Sequence, residues 1–191
     1  MLLISDTYRQ QNRLMHQQHE NYGATGGQWA AYVEQLVADE GHGSVLEYGS
    51  GKSLLAKALA SVGIAICEYD PAIPGKDALP EPADLVCILD VFEHVEPEHI
   101  DAVLAHLAKI TKRKLLFDIN IIPAKKILPD GRNAHLLIQP PDWWRFKLSQ
   151  HFDIVHWVAR EGYTFLYGEA VPKKKGGTVS GGFLEMVNGE V

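Results

Sequence analysis

Apolar positions along the chain change their period several times, and each change marks an element. Residues 5 to 22 are mostly polar, rich in Gln and His, and compatible with a helix. Tyr22-Gly23-Ala24-Thr25-Gly26-Gly27 interrupts it, because glycine punctuates regular backbone. Trp29, Tyr32, Val33, Leu36 and Val37 then recur at helical spacing, up to Gly41 and Gly43. Ser44 to Tyr48 reads as the first core strand, Leu54 to Ala60 as a helix and Ile64 to Tyr69 as the second strand. Four prolines between residues 71 and 83 exclude a regular helix there. Asp84 to Leu89 is apolar without alternation after its first residue, the mark of a strand covered on both faces. Pro97 to Ile110 reads as an amphipathic helix, Lys114 to Ile121 as a strand, 123 to 141 as a long loop and Asp142 to Gln150 as a helix. Phe152 to Val158 and Tyr163 to Tyr167 flank Arg160-Glu161-Gly162 as a hairpin, and Phe183 to Val187 has the composition of a further short strand.

Strand and helix alternating in this way predict an α/β fold, a mostly parallel sheet with helices on both faces that closes on an antiparallel hairpin. The chain divides into an N-terminal helical segment (1–43), a core (44–170) and a Gly- and Lys-containing tail (171–191). At 191 residues, with 46% hydrophobic and 22% charged positions, it suits one soluble domain. No apolar run reaches the length of about 18 residues that a membrane span needs. Cys67 and Cys87 lie in apolar runs and read as buried thiols. Neither pairs with a histidine at metal-ligand spacing, so no metal site is expected and cytoplasmic residence is the default. The net charge of -6 disfavours non-specific nucleic-acid binding, which needs cations to neutralise phosphates. Lys173-Lys174-Lys175 keeps a nucleic-acid component open as a partner.

The chemistry concentrates where strands end. Val45-Leu46-Glu47-Tyr48-Gly49-Ser50-Gly51-Lys52-Ser53 joins the first strand to a helix. Small residues there let a ligand approach the backbone, and the helix start offers free N–H groups. Gly51-Lys52-Ser53 matches the end of a P-loop, but the pattern demands a glycine at position 46, which is Leu46 inside the strand. A dinucleotide fingerprint fails at Leu54 in place of its third glycine. Glu47-Tyr48-Gly49-Ser50-Gly51 instead resembles the first motif of class I S-adenosylmethionine-dependent methyltransferases, an acid two residues before Gly-x-Gly. Glu68-Tyr69-Asp70 ends the second strand about 20 residues later, where a carboxylate can accept hydrogen bonds from a ribose diol. Asp84 to Asp90 followed by Val91-Phe92-Glu93-His94 is similar to that family's fourth-strand motif.

The resemblance implies a Rossmann-like fold, S-adenosylmethionine as cofactor and methyl transfer as activity. It implies that Gly49, Ser50 and Gly51 make room for the methionyl part and that Glu47 helps hold its ammonium, often through water. Asp70, with Glu68 as fallback, would bind the ribose. Asp90 and Val91 would flank the transferred methyl group, and Asp77 or Leu79 would stand near the adenine. The usual family chain places a helix and a third strand between the second and fourth strands. Only about 14 residues separate Asp70 from Asp84, which leaves room for a sheet one strand short. On the acceptor side, Asp130, Arg132, Asn133 and His135 crowd the loop after the next strand. That loop either borders the substrate or is a self-bonded turn at Pro129-Asp130-Gly131. His94 and His135 are the two candidates for a general base, if the acceptor has a proton to lose. The expected acceptor is a small molecule methylated at O or N. A nucleic-acid component, a non-catalytic S-adenosylmethionine-binding protein and a P-loop-like NTPase are the alternatives. Residues 1–43 are expected to form a lid.

Overall fold

In the computed structural model, which describes residues 2–173, six strands form one sheet in the order β2-β1-β3-β4-β6-β5. They are β1 (Val45–Tyr48), β2 (Cys67–Tyr69), β3 (Ala83–Leu89), β4 (Thr111–Asn120), β5 (Phe152–Val158) and β6 (Phe165–Pro172). The first four are parallel, and β6 runs antiparallel to both β4 and β5. The helices are α1 (Asp6–Gln18), α2 (Ala30–Glu40), α3 (Leu54–Ala60), α4 (Ile100–Ile110) and α5 (Pro141–Ser149).

Side chains alternate across a strand, and the core divides accordingly. Leu46, Tyr48, Val86, Ile88, Leu115 and Phe117 pack beneath α4 and α5 against Val103, Leu104, Leu107, Trp144 and Leu148. Val45, Leu85, Cys87, Leu89 and Leu116 face the other way, against Val33 and Leu36 of α2 and Leu55 and Leu59 of α3. Residues 70–82, between β2 and β3, form turns without a helix or strand. The sheet is therefore one strand shorter than the family pattern named above.

Several boundaries differ from the sequence reading; β4, for example, starts at Thr111, three residues before the expected Lys114. β2 pairs over only Cys67–Tyr69, because it is the sheet edge; Ile64 and Ile66 pack against the core without pairing. The edge position also leaves the Cys67 thiol exposed, against the expectation of burial, whereas Cys87 is buried. β6 continues to Pro172 and takes the first two positions assigned to the tail. Lys174, Lys175 and the strand expected at 183–187 lie outside the described residues. No helix among the described residues is long and apolar enough to cross a membrane.

α1 begins where Ser5 caps it, its Oγ accepting the Tyr8 N–H at 3.1 Å. The same Ser5 donates from its N–H (2.8 Å) and Oγ (2.6 Å) to the Glu96 carboxylate, so the helix start is fastened to the segment after β3. Tyr8 and Met15 join Tyr22, Leu128 and Ala134 in a separate cluster under the 123–141 loop. α1 is thereby held across the carboxyl ends of the strands, where open α/β sheets bind ligands.

Candidate functional site

A cavity open to solvent lies at those strand ends. Its floor is Gly49 and Gly51 after β1, Asp70 to Ala72 after β2, and Asp90, Val91 and His94 after β3; Tyr8, Asn12, His16 and Tyr22 form the N-terminal wall.

The glycine turn is pinned from several sides. Gly49 and Ser50 donate their N–H groups to Tyr69 O at 2.7 and 3.0 Å. Gly51 N–H donates to Asp70 Oδ2 (3.0 Å), and Ala72 N–H to Asp70 Oδ1 (2.9 Å). A carboxylate offers about four lone-pair sites, so Asp70 retains acceptor capacity toward the cavity. Lys76 Nζ bridges Ser50 Oγ (3.2 Å), Gly51 O (3.1 Å), Ser53 Oγ and Glu68 Oε1 (2.8 Å). It braces the glycine turn from a loop, and Glu68 is engaged there rather than in the cavity lining. Sequence reasoning missed Lys76; a lone lysine in a proline-rich loop carries no signal. Lys52 Nζ donates to His16 O, and Leu46 is fully buried in β1. This lysine ties down the N-terminal segment and does not reach into a phosphate loop.

Glu47 lies behind the turn, outside the cavity lining, 4% exposed and with Oε2 unpartnered. Burial, and then the charge of Glu68, push its carboxyl up to about 8. Asp77 is exposed and accepts the Gly75 N–H at 3.2 Å; neither it nor Leu79 lines the cavity.

Beyond β3 the backbone turns sharply at Asp90, whose φ of 59° is in the left-handed region. A non-glycine residue there costs free energy and recurs at functional sites. The fold holds it: Asp90 N–H donates to Asp118 Oδ1, Asn120 Nδ2 donates to Asp90 Oδ1, and Thr25 Oγ1 donates to Asp90 Oδ2 at 2.8 Å. Three acids meet here. Burial, then Asp90, push the fully buried Glu93 carboxyl well above the carboxylate range; its Oε1 accepts the Asn120 N–H at 2.8 Å. Burial, then Asp90, also raise Asp118 to about 7. Burial opposes the charge on Asp90, yet Glu93, His94, Thr25 and His135 hold its carboxyl below the usual range. Asp90 thus carries the charge of the cluster.

His94 is partly buried, and this desolvation lowers its imidazole to about 4 despite Asp90. Its ring meets His135 edge to face at 4.9 Å and Tyr22 at 5.7 Å, and Tyr22 meets His16 at 4.8 Å. The ligand atoms of Asp90, His94 and His135 lie within 4.8 Å of one another, a gathering for which the sequence spacing gave no warning. His135 is set by Asn133, whose amide accepts the N–H of Ala124 (2.9 Å) and of His135 (2.9 Å) and donates to Ala124 O (2.8 Å).

Asp130 and Arg132 are exposed and absent from the lining. They close the self-bonded turn: Arg132 N–H and Nε donate to the Asp130 carboxylate at 3.0 and 2.7 Å, and Gly131 N–H donates to Leu128 O at 2.9 Å. Gln11 Nε2 also donates to Asp130 (2.9 Å), and the Arg132 guanidinium sits 5.9 Å over Tyr8. The pair therefore fastens the loop to α1. Trp144 is fully buried against Phe92 in the core. The lining residues Tyr8, Asn12 and His16 were not singled out from sequence; their i, i+4, i+8 spacing on a polar helix was the available signal.

No curated protein matches the chain. Solved structures share the fold. A 1,6-didemethyltoxoflavin-N1-methyltransferase from Burkholderia thailandensis, with bound 1,6-didemethyltoxoflavin and S-adenosylhomocysteine, superposes with a TM-score of 0.60 at 16% identity, over 87% of each chain. A DhpI-SAH complex gives 0.59 at 16% identity, covering 86% of this chain and 96% of the other. Magnesium protoporphyrin IX methyltransferase from Synechocystis PCC 6803, with bound SAM, gives 0.55 at 21% identity over 88% and 85%. A family model for the methyltransferase domain matches residues 17–159, most of the sequence, and the chain belongs to that family.

Proposed function

We propose that this protein transfers the methyl group of S-adenosylmethionine to an oxygen or nitrogen of a small-molecule acceptor. The observation that carries this reading is the cavity itself, with Gly49, Gly51, Asp70, Asp90 and Val91 on one side and His94 on the other. The residues fit the cofactor. Glu47 Oε2 is an orphaned buried acceptor beside the glycine turn, and Asp70 reaches the cavity with lone pairs to spare. Asp70 would accept from the ribose hydroxyls, Glu47 would hold the ammonium end, and Asp90 and Val91 would border the methionyl chain. When bound, the cofactor supplies a methyl group on a sulfonium, which leaves as a neutral thioether. The chain's own residues align the partners and exclude water. His94, with His135 beside it, would take a proton from the acceptor, and the low basicity of His94 keeps it neutral at physiological pH.

A small acceptor is supported by α1 and Tyr22, which wall the cavity and act as the lid, and by the net charge of -6. That the Burkholderia enzyme holds 1,6-didemethyltoxoflavin, a small molecule, agrees with it. Calorimetric titration tests the reading: S-adenosylhomocysteine should bind, magnesium-ATP should not, and Asp70→Ala should weaken binding by about 1.5–3 kcal/mol. Tight ATP binding without an S-adenosylhomocysteine signal would overturn it. Labelled cofactor in a cell extract should put its label into small molecules; label confined to nucleic acid would replace the acceptor class.

A further inference from the structure

The two histidines after β3 and β4 are oriented by the backbone in the same way. His94 Nδ1 is 2.8 Å from Ala134 O, and His135 Nδ1 is 2.6 Å from Ile122 O. A carbonyl only accepts, so each Nδ1 carries the hydrogen and each Nε2 of the neutral ring is left with its lone pair. A histidine that ligates a metal almost always has its second nitrogen fixed in this manner, by a carbonyl or a carboxylate. The third member, Asp90, receives hydrogen bonds from Thr25 Oγ1 at 2.8 Å and from Asn120 Nδ2. Every group of the cluster thus has its outer partner already in place.

We propose that Asp90, His94 and His135 form a binding site for one divalent transition-metal cation. Their ligand atoms lie within 4.8 Å of one another. A cation about 2.0–2.2 Å from each donor draws such atoms to roughly 3–3.5 Å apart, a closure that side-chain rotations of about 1 Å supply. Two imidazoles and one carboxylate suit zinc, cobalt, iron or manganese better than magnesium or calcium, which favour oxygen alone. Three protein donors also leave coordination positions open, as catalytic sites do and closed structural sites do not.

The cluster borders the cavity, since Asp90 and His94 both line it. An open position on the cation would take an oxygen of the acceptor. Ligation lowers the pKa of a bound hydroxyl, so the acceptor proton would leave to solvent and neither imidazole would need to receive it. This role rests on the methyltransferase reading above; cation binding itself does not. The acceptor class then narrows to molecules carrying a hydroxyl, enolate or carboxylate oxygen near the methylated atom.

The test uses metal-free protein carrying Cys67→Ser, which removes the exposed thiol as a rival ligand. Cobalt(II) is titrated by ligand-field absorption and zinc by calorimetry. One cation per chain is expected, with affinity reduced at least tenfold in His135→Ala and in His94→Gln. Circular dichroism and thermal unfolding report whether each variant is folded. Stoichiometric binding lost in folded variants supports the site. Absence of binding, or binding unchanged in both variants, overturns it. Failure of S-adenosylhomocysteine to bind the parent protein would count against the methyltransferase reading and leave the cation result to stand by itself.

Discussion

On its glycine-turn side the cavity wall is mostly backbone. Gly49, Ser50 and Gly51 are tied to the adjacent strand through Tyr69 O and Asp70, and braced by Lys76. On its histidine side the wall is side chains brought from far apart in sequence. His94 leans on Ala134 O and His135 on Ile122 O, and Tyr22 and His16 complete the rim. The first arrangement holds one fixed shape for one cofactor. The second reuses the same strand ends but takes its shape from a long loop and an N-terminal helix, the parts that tolerate sequence change. The contrast implies that a single substitution on the first side weakens ligand binding, whereas substitutions on the second change turnover and leave the cofactor in place.

Gly51→Ala should have the largest effect. Its φ is 46°, and a Cβ there would stand 2.4 Å from Gly23 O and 2.8 Å from Gly23 Cα. Both are backbone atoms, so nothing can swing aside. The variant is expected to lose about 2–4 kcal/mol of stability and at least a hundredfold in S-adenosylhomocysteine affinity, read by thermal unfolding and calorimetry. Gly63→Ala is the control: its φ is 80° but its Cβ would meet nothing within 4 Å, so it should cost only about 1–2 kcal/mol of backbone strain and leave binding alone. Equal behaviour of the two variants would show that collision with Gly23 does not matter.

The same contrast explains what could be read from the sequence. Helix α3 was expected at Leu54 to Ala60 and is found there, and β1 and β3 fall within one residue of expectation. Each is a short apolar run between glycines or prolines, so local pattern and tertiary burial agree. α1 buries only Tyr8, Asn12 and Met15, a stripe too narrow and too polar to announce which face it turns to the cavity. The 123–141 loop was legible as a cluster of chemical groups but not in its division of labour. Asp130 and Arg132 bond to each other, within two residues, while His135 is carried inward by Asn133. Sequence cannot distinguish these outcomes, because both satisfy the same polar groups. The Asp90–His94–His135 cluster joins the turn after β3 to that loop, and no spacing rule links them.

Asn133→Ala tests the second side with an intermediate effect. Three hydrogen bonds, all to loop backbone, depend on this amide. Their removal should loosen His135 without touching the glycine turn. Since a misplacement of about 1 Å can cost about a hundredfold in rate, kcat is expected to fall about tenfold to a hundredfold while the S-adenosylhomocysteine dissociation constant stays within about twofold. A matching loss of cofactor affinity would mean that the loop belongs to the cofactor side, and the division between the two walls would fail.

The smallest effect lies behind the first wall and concerns a proton. Burial, then Glu68, raise the Glu47 carboxyl to about 8 from its ordinary 4.5. Between these values the folded state holds a proton that the unfolded chain releases. Stability therefore falls as pH rises from about 4.5 to about 8 and levels off above it. If Glu47 holds the cofactor's ammonium, binding draws its pKa down by opposite charge. At pH 7 the free protein carries that proton and the complex does not, so binding should release up to one proton. The release should shrink toward pH 9, where Glu47 is already ionised. Calorimetry in buffers of different ionisation enthalpy counts the protons, and Glu47→Gln separates this residue from the nearby histidines. The variant should release fewer protons at pH 7, bind about tenfold more weakly, and show a smaller fall in stability between pH 5 and 8, the part due to Asp118 remaining. Equal proton release in the two proteins would show that Glu47 serves the fold behind the glycine turn and does not face the ligand.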